Sequence, residues 1–205
     1  MNGKRLRLGF LASHRGSNML AIITACRSGR IHAEPALVIS NNRDAPALQR
    51  AAEAGVPAVH LGAGDFPDAQ ALDQAIAAAL KRYAVDLVIL AGYMKRLGPL
   101  TLAAFPNRVI NIHPGLLPRY GGKGMYGSRV HGAVVAAGEK ETGVTVHLVD
   151  AEYDHGATLA EQRVAVLPGE SAEELAARML PIEHELYVNT IGAIVAGRLP
   201  LPETS

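Results

Sequence analysis

Two residues on one strand-like segment are of the types that could do acyl-group chemistry. In Arg108-Val109-Ile110-Asn111-Ile112-His113-Pro114, residues two apart share a face. Asn111 and His113 therefore point one way, and Ile110 and Ile112 the other. Two polar side chains at the end of an otherwise apolar strand are costly to bury unless paired or used. An asparagine is no base, but its amide N–H can donate to an oxyanion, an effect of roughly 10²–10³ in rate. A histidine can take or give a proton near neutrality. At this point a structural asparagine beside a hydrogen-bonded core histidine remains an equal reading.

Two further segments carry polar groups that could join them. Ser13-His14-Arg15-Gly16-Ser17-Asn18 lies between a strand and a helix, so free N–H groups and the Ser17 hydroxyl at a helix start could hold an anion. Plain capping by Ser or Asn is the simpler alternative. The segment has neither the P-loop ending nor GxGxxG. Asp150-Ala151-Glu152-Tyr153-Asp154-His155-Gly156 is a loop with three carboxylates, readable as a solvated turn. It lacks EF-hand spacing, and no metal is expected. A carboxylate beside His113 would favour its imidazolium, and Asp154 is the candidate. No G-x-S-x-G elbow is present, and Cys26 lies inside the first helix, where it reads as packing. Asn, His and Asp without a nucleophile suit direct acyl or formyl transfer between two bound substrates.

The elements needed to position these groups are legible as alternating apolar runs and helical patterns. Strands are expected at Leu6–Ala12, Ala36–Ser40, Ala58–Leu61, Asp86–Ala91 and Arg108–His113. Helices are expected at Ser17–Arg27, near Ala45–Ala54 and at Ala69–Tyr83. That alternation means an α/β fold with a mostly parallel sheet. Gly143–Val149 and Ala157–Val166 then read as an antiparallel extension joined by Asp150–Gly156. A long helix follows from about Ala172 to Val195, opened by a Ser171/Glu174 capping box and interrupted by Pro181. The tail after it is expected to be loose. In open α/β sheets, ligands bind beyond the carboxyl ends of the strands. Gly16-Ser17-Asn18, Gly92-Tyr93-Met94 and Asn111/His113 would all meet there.

Composition agrees with one globular domain. The 205 residues are 49% hydrophobic and 19% charged, with 20 Lys+Arg against 19 Asp+Glu. A chain this long buries roughly 70% of its unfolded surface and needs no disulfide or metal for its core. The balanced charge gives no sign of nucleic-acid binding. One cysteine points to a reducing compartment. The basic start at Lys4, Arg5 and Arg7 precedes too short an apolar run for a signal peptide, and no run approaches a membrane span. A cytoplasmic location is expected.

The chain resembles the folate-dependent formyltransferases, and within them the branch of purine synthesis. The resemblance is carried by Gly16-Ser17-Asn18, Ala91-Gly92-Tyr93-Met94, Asn111-Ile112-His113-Pro114 with Leu116-Leu117-Pro118, and Gly143-Val144-Thr145-Val146-His147 leading to Asp154. It covers most of the chain. It implies a Rossmann-like open, mostly parallel twisted sheet with helices on both faces and an antiparallel C-terminal extension. It implies one domain over residues 1–205, with a phosphate-binding half (about 1–100) and a catalytic and folate half (about 101–198). The implied reaction moves the formyl group of 10-formyltetrahydrofolate, as co-substrate, to the amine of glycinamide ribonucleotide on the way to IMP.

By that resemblance Asn111, His113 and Asp154 are catalytic. Gly16, Ser17 and Asn18 would bind the ribonucleotide phosphate, and Met94, Pro114 and Glu183 would line the rest of that site. Gly92, Lys95, Arg96, Leu97, Asn111, Asp150 and Tyr153 would hold the folate. Partners would be small molecules, with neither nucleic acid nor membrane, and the protein a monomer or homodimer. Three features depart from the family pattern. The loop Tyr120–Gly127 is longer and contributes Lys123, readable as a solvated lysine or as a charge for an anionic substrate group. Lys95-Arg96 replaces the commoner Arg-Ile, and His155 stands in the middle of the usual Asp-x-Gly; His131, by contrast, begins the next helix as an aligned substrate-side histidine. The alternatives are a formyltetrahydrofolate hydrolase, usually preceded by a regulatory domain, a formyltransferase with another amine acceptor, and a non-catalytic nucleotide-binding module.

Overall fold

Seven strands form one sheet in the order β3-β2-β1-β4-β5-β6-β7. In chain order the elements are β1 (Leu6–Leu11), α1 (Ser17–Arg27), β2 (Ala33–Ser40), α2 (Pro46–Glu53), β3 (Ala58–His60), α3 (Ala69–Arg82) and β4 (Leu87–Leu90), with a 3-10 turn at Ala63–Asp65. Then come α4 (Pro99–Ala104), β5 (Val109–His113), α5 (Ser128–Ala136), β6 (Glu141–Leu148), β7 (Thr158–Ala165) and α6 (Ala172–Val195). This computed structural model describes residues 5–203; Lys4 of the basic start and the last two residues of the tail lie outside the described residues.

Strands β1 to β5 are parallel, and β6 runs antiparallel to both β5 and β7. The chain builds outward from β1 through β2 to β3, then returns to lay β4 on the other side of β1. Strand order therefore reverses between β1 and β4, which is where an open α/β sheet offers a crevice.

Alternation along the strands sorts side chains into two cores. Leu8, Phe10, Leu87, Ile89, Ile110, Ile112, Val144 and Val146 join buried residues of α1, α2, α5 and α6. Leu11, Val88, Leu90 and Val109 join α3 and Phe105 after α4 on the opposite face. Tyr187 of α6 is fully buried, and its hydroxyl donates to the carbonyls of Leu90 and Ile110, 3.1 Å each. This ties α6 to the ends of β4 and β5.

Several expectations change at element boundaries. The short helix α4 is not legible in the sequence, because its capping group comes from α3: Asp73 accepts from the N–H groups of Leu100 and Thr101 and from the Thr101 hydroxyl. The helix α5 opens at Ser128, three residues before His131, once Gly127 closes the loop with φ 50°. The helix α6 is continuous through Pro181, and the Ser171/Glu174 capping box is formed at its start. Proline removes one N–H bond there, but buried Met179, Tyr187 and Ile191 hold the helix on both sides of it. The tail up to Glu203 is not loose: Leu199 and Leu201 pack on the core, and Arg108 and Asn107 donate to the carbonyls of Pro202 and Glu203.

Candidate active site

The carboxyl ends of β1, β2 and β4 are joined through one residue. The Ser13 hydroxyl donates to Asn41 Oδ1 (2.6 Å) and accepts from the Met94 N–H (2.7 Å), while the Ser13 N–H donates to the Gly92 carbonyl (3.0 Å). Gly92 takes φ 76°, a turn that glycine makes without a Cβ penalty. The next turn positions the start of α1. Gly16, at φ 62°, is the N-cap residue, and no side chain caps this helix. Capping by Ser17 or Asn18, the simpler reading, is therefore not what the turn does. Its first N–H groups stay without a side-chain acceptor, which favours an anion there. The Asn18 amide instead donates to Glu183 Oε2 of α6 (3.3 Å), and Asn18 Oδ1 is buried without a partner.

The chemistry-bearing groups meet across β5 and β6. The register sets Asn111 opposite His147 and His113 opposite Thr145, all on the face away from Ile110 and Ile112. Asn111 Nδ2 lies 3.1 Å from His147 Nε2. Asp154, in the loop after β6, places Oδ2 3.6 Å from His113 Nδ1 and Oδ1 3.5 Å from His147 Nε2. The far nitrogens face carbonyls: His113 Nε2 is 2.8 Å from the Tyr120 oxygen, and His147 Nδ1 is 2.7 Å from the Leu148 oxygen. A carbonyl only accepts, so each of those nitrogens carries hydrogen. In their neutral forms both rings therefore turn a lone pair toward Asp154. Asn111 spends one amide hydrogen on His147 and keeps the other for a ligand.

Electrostatics keep this cluster ready to accept a proton. Burial draws His113 below the ordinary imidazole value, against Asp154 and the Tyr120 carbonyl, which raise it; His147 lowers it further. For Asp154 burial acts upward, but the two histidines and the Gly122 N–H (2.9 Å) outweigh it and hold the carboxyl below its ordinary value. The groups are close enough that any titration belongs to the cluster rather than to one residue. Glu183 behaves oppositely: burial pushes it up to about 7, only partly offset by Asn18.

A cavity of about 320 Å³ opens on these groups. Asn111, His113 and Asp154 line it, with Asn18, Met94, Pro114 and Glu183. Gly92, Lys95, Arg96, Leu97, Asp150 and Tyr153 line it as well. Of the residues singled out from sequence, Gly16 and Ser17 do not line it; they stand one and two residues before Asn18. His131 does not line it either. It is buried in α5 beside His113, with Nδ1 unpartnered. Lys123 does reach the wall, together with Tyr126, and makes no ion pair among the described residues. Arg96 donates to the Ala151 carbonyl and so links the β4 loop to the 149–157 loop. Asp150 pairs with His155 (2.8 Å), and of the loop's carboxylates Asp154 is the one paired with His113 and His147. Cys26 packs against the core with its thiol pushed up to about 11 by burial, which makes it an inert side chain.

Sequence reasoning gave no role to Ser13, His147 or the Tyr120 and Gly122 backbone. His147 had one signal, its place two residues after Thr145 on the polar side of an alternating strand. Its partner Asn111 emerges only from the cross-strand register.

Comparison with known proteins gives a consistent result. Residues 6–191 match the family described as formyl transferase. The chain is 40% identical over 197 residues to phosphoribosylglycinamide formyltransferase of Haemophilus influenzae, covering 96% of this chain and 91% of that protein. It is 38% identical to the chloroplastic phosphoribosylglycinamide formyltransferase of Arabidopsis thaliana, over 96% of this chain and 68% of that one. Among solved structures, glycinamide ribonucleotide transformylase 1 from Symbiobacterium toebii superposes with a TM-score of 0.91 at 41% identity, covering 98% of this chain and 92% of that one. The chain belongs to the formyl transferase family.

Proposed function

We propose that this protein transfers the formyl group of 10-formyltetrahydrofolate to the amine of glycinamide ribonucleotide, giving formylglycinamide ribonucleotide for purine synthesis. The observation that carries the reading is the Asn111–His147–Asp154–His113 cluster at the head of one cavity. It offers a free amide hydrogen and an empty proton site and contains no nucleophile that would form a covalent intermediate. The relatives named for this reaction support the choice of substrates.

The residues divide the work as follows. The uncapped start of α1 at Gly16, Ser17 and Asn18 favours the ribonucleotide phosphate. Glu183, with Met94 and Pro114, faces the glycinamide end, where a carboxyl near pH 7 can accept from an amine. Gly92, Lys95, Arg96, Leu97, Asp150 and Tyr153 form the wall for the folate, which brings the formyl carbon to be transferred. Apolar Leu90, Leu97 and Val149 in that wall fit a flat heterocycle, and the polar rim fits its hydrogen-bonding edge.

Asn111 donates its second amide hydrogen to the formyl oxygen as negative charge develops there. As the amine nitrogen bonds to the formyl carbon, its proton passes to the His113/Asp154 pair, where the imidazolium formed lies against a carboxylate; collapse of the adduct then breaks the formyl bond to the folate N10, which takes that proton and leaves as tetrahydrofolate. Residues 1–100 thereby supply the phosphate turn and the Gly92–Leu97 part of the folate wall, and residues 101–198 the catalytic groups and the rest of both sites. No metal is needed for these steps. The protein acts on small molecules, as a monomer or homodimer, in the cytoplasm; no helix among the described residues is long and apolar enough to cross a membrane.

The test follows 10-formyltetrahydrofolate consumption by the purified protein with and without glycinamide ribonucleotide. Consumption only with the acceptor, yielding the formylated ribonucleotide, is expected. Equal consumption without it would make the protein a hydrolase acting through the same cluster. No consumption in either tube would remove the catalytic reading.

A further inference from the structure

We infer that the turn Tyr120–Gly122 is a backbone clamp that selects the proton-accepting form of His113, and that Glu139, outside the cavity, holds Tyr120 in place for it. The inference rests on the assignment of His113 and Asp154 to the proton transfer proposed above. Two contacts define the clamp. The Tyr120 carbonyl accepts from His113 Nε2 at 2.8 Å, and two residues on, the Gly122 N–H donates to Asp154 Oδ2 at 2.9 Å. One three-residue turn therefore touches both partners of the proton site.

The consequence follows from counting acceptors. A neutral imidazole carries one N–H, and His113 lies between two acceptors, the Tyr120 oxygen and Asp154 Oδ2. The carboxylate alone would draw the hydrogen to Nδ1 and leave the site with nothing to accept a proton. The Tyr120 contact is shorter by 0.8 Å (2.8 against 3.6 Å) and holds the hydrogen on Nε2. Nδ1 is thus kept free, facing Asp154. Once Nδ1 takes a proton, both acceptors are satisfied at once. The groups facing His113 are Asp154 from the 149–157 loop, His147 from β6 and His131 from α5.

Holding a carbonyl in that position requires an unusual backbone. Tyr120 has φ 56°, a left-handed conformation that bulky residues rarely adopt. Gly121 leaves no room for a side chain: a Cβ there would stand 2.6 Å from Leu117 Cδ2 and 3.2 Å from Asp154 Cβ. What fixes Tyr120 is its other end. Its hydroxyl donates to Glu139 Oε1 at 2.7 Å, Arg119 pairs with the same carboxylate, and the Arg119 guanidinium lies 5.5 Å from the tyrosine ring centroid. Glu139 is anchored just beyond α5 by its N–H to the Val134 carbonyl. None of the clamp's side chains lines the cavity. Tyr120 and Glu139 are positioning residues.

The experiment compares the wild type with Tyr120→Phe, Glu139→Ala and Glu139→Gln. Each is measured by kcat and KM for both substrates, by the pH profile of kcat and by the imidazole ¹⁵N shifts of His113. In the wild type the shifts should report hydrogen on Nε2 and a bare Nδ1. Tyr120→Phe and Glu139→Ala should mix the two tautomers and lower kcat about three- to tenfold, with both KM values within twofold. The acid limb of kcat should move to lower pH, because the carbonyl contact raises the His113 pKa and is now slackened. Glu139→Gln, which still accepts from the tyrosine hydroxyl, should lie closer to the wild type. Unchanged nitrogen shifts and pH profile in Tyr120→Phe, or hydrogen on Nδ1 in the wild type, would overturn the inference. The shifts are read without turnover, so they separate failure of the clamp from failure of the proposed activity.

Discussion

The β1–β4 pair and the β5–β6 pair belong to one sheet but are covered differently. Around β1 and β4, helices lie on both faces, and the strands read as apolar on both: Leu8, Phe10, Leu87 and Ile89 on one side, Leu11, Val88 and Leu90 on the other. Around β5 and β6, α5 and α6 cover only the Ile110/Ile112 and Val144/Val146 face. The opposite face holds Asn111, His113, Thr145 and His147, and loops lie over it. Thr145 pins one of them, donating to the Gly115 carbonyl (2.7 Å) and accepting from the Leu117 N–H (3.2 Å). The candidate site sits where the helical layer ends, because a loop can bring backbone donors and acceptors to a buried polar group and an apolar helix face cannot.

This contrast can be broken or sharpened by substitution. The largest stability effect is expected from Phe10→Ala in the doubly covered region, about 3–5 kcal/mol by chemical unfolding, from lost burial plus a cavity. An effect under 1 kcal/mol would mean that this half is not the stabilising core.

Glu183→Gln is expected to act with opposite sign. The carboxyl has a folded pKa of about 7, above its ordinary 4.5. The folded state therefore holds the proton more tightly, and this group's stability contribution is lost as pH rises from 4.5 to 7. Removing the charge should stabilise the protein at pH 8 by roughly 3 kcal/mol, at 1.36 kcal/mol per unit, and should have little effect at pH 4. Equal stability of variant and wild type at both pH values would contradict the burial argument.

Asp73→Ala should cost about 1–3 kcal/mol, since it strands two backbone N–H groups and leaves the buried Thr101 hydroxyl only the residue 73 carbonyl. Loss of amide protection at Leu100 and Thr101 in hydrogen exchange would check it. The smallest effect is expected from Ser171→Ala, about 1 kcal/mol from the capping box, read from the unfolding midpoint with turnover unchanged.

Most of the sheet was legible because buried parallel strands read as continuous apolar runs, as in Leu87–Leu90. The Asn111/His113 face was legible because a two-residue spacing survives any tertiary context. What stayed hidden depends on residues far apart in sequence. The cap of α4 lies in α3, 27 residues before Leu100 in sequence. His147 reads as one more residue of an alternating strand until the register sets it against Asn111, 36 residues away. Tyr120 and Gly122 act through backbone atoms, which side-chain types do not reveal. Gly16-Ser17-Asn18 does fall at a strand-to-helix turn, but the helix has no side-chain cap because its N-cap residue is Gly16, and Asn18 donates to Glu183 instead.

The most direct measurement takes Asn111→Ala and determines three quantities together: turnover, affinity for both substrates, and the unfolding midpoint. A fall in kcat of about 10²–10³, with ribonucleotide affinity and midpoint close to wild type, is the predicted result. Turnover within a few fold of wild type, or a midpoint lowered as far as in Phe10→Ala, would contradict it, because Asn111 would then belong to the core and not to the chemistry.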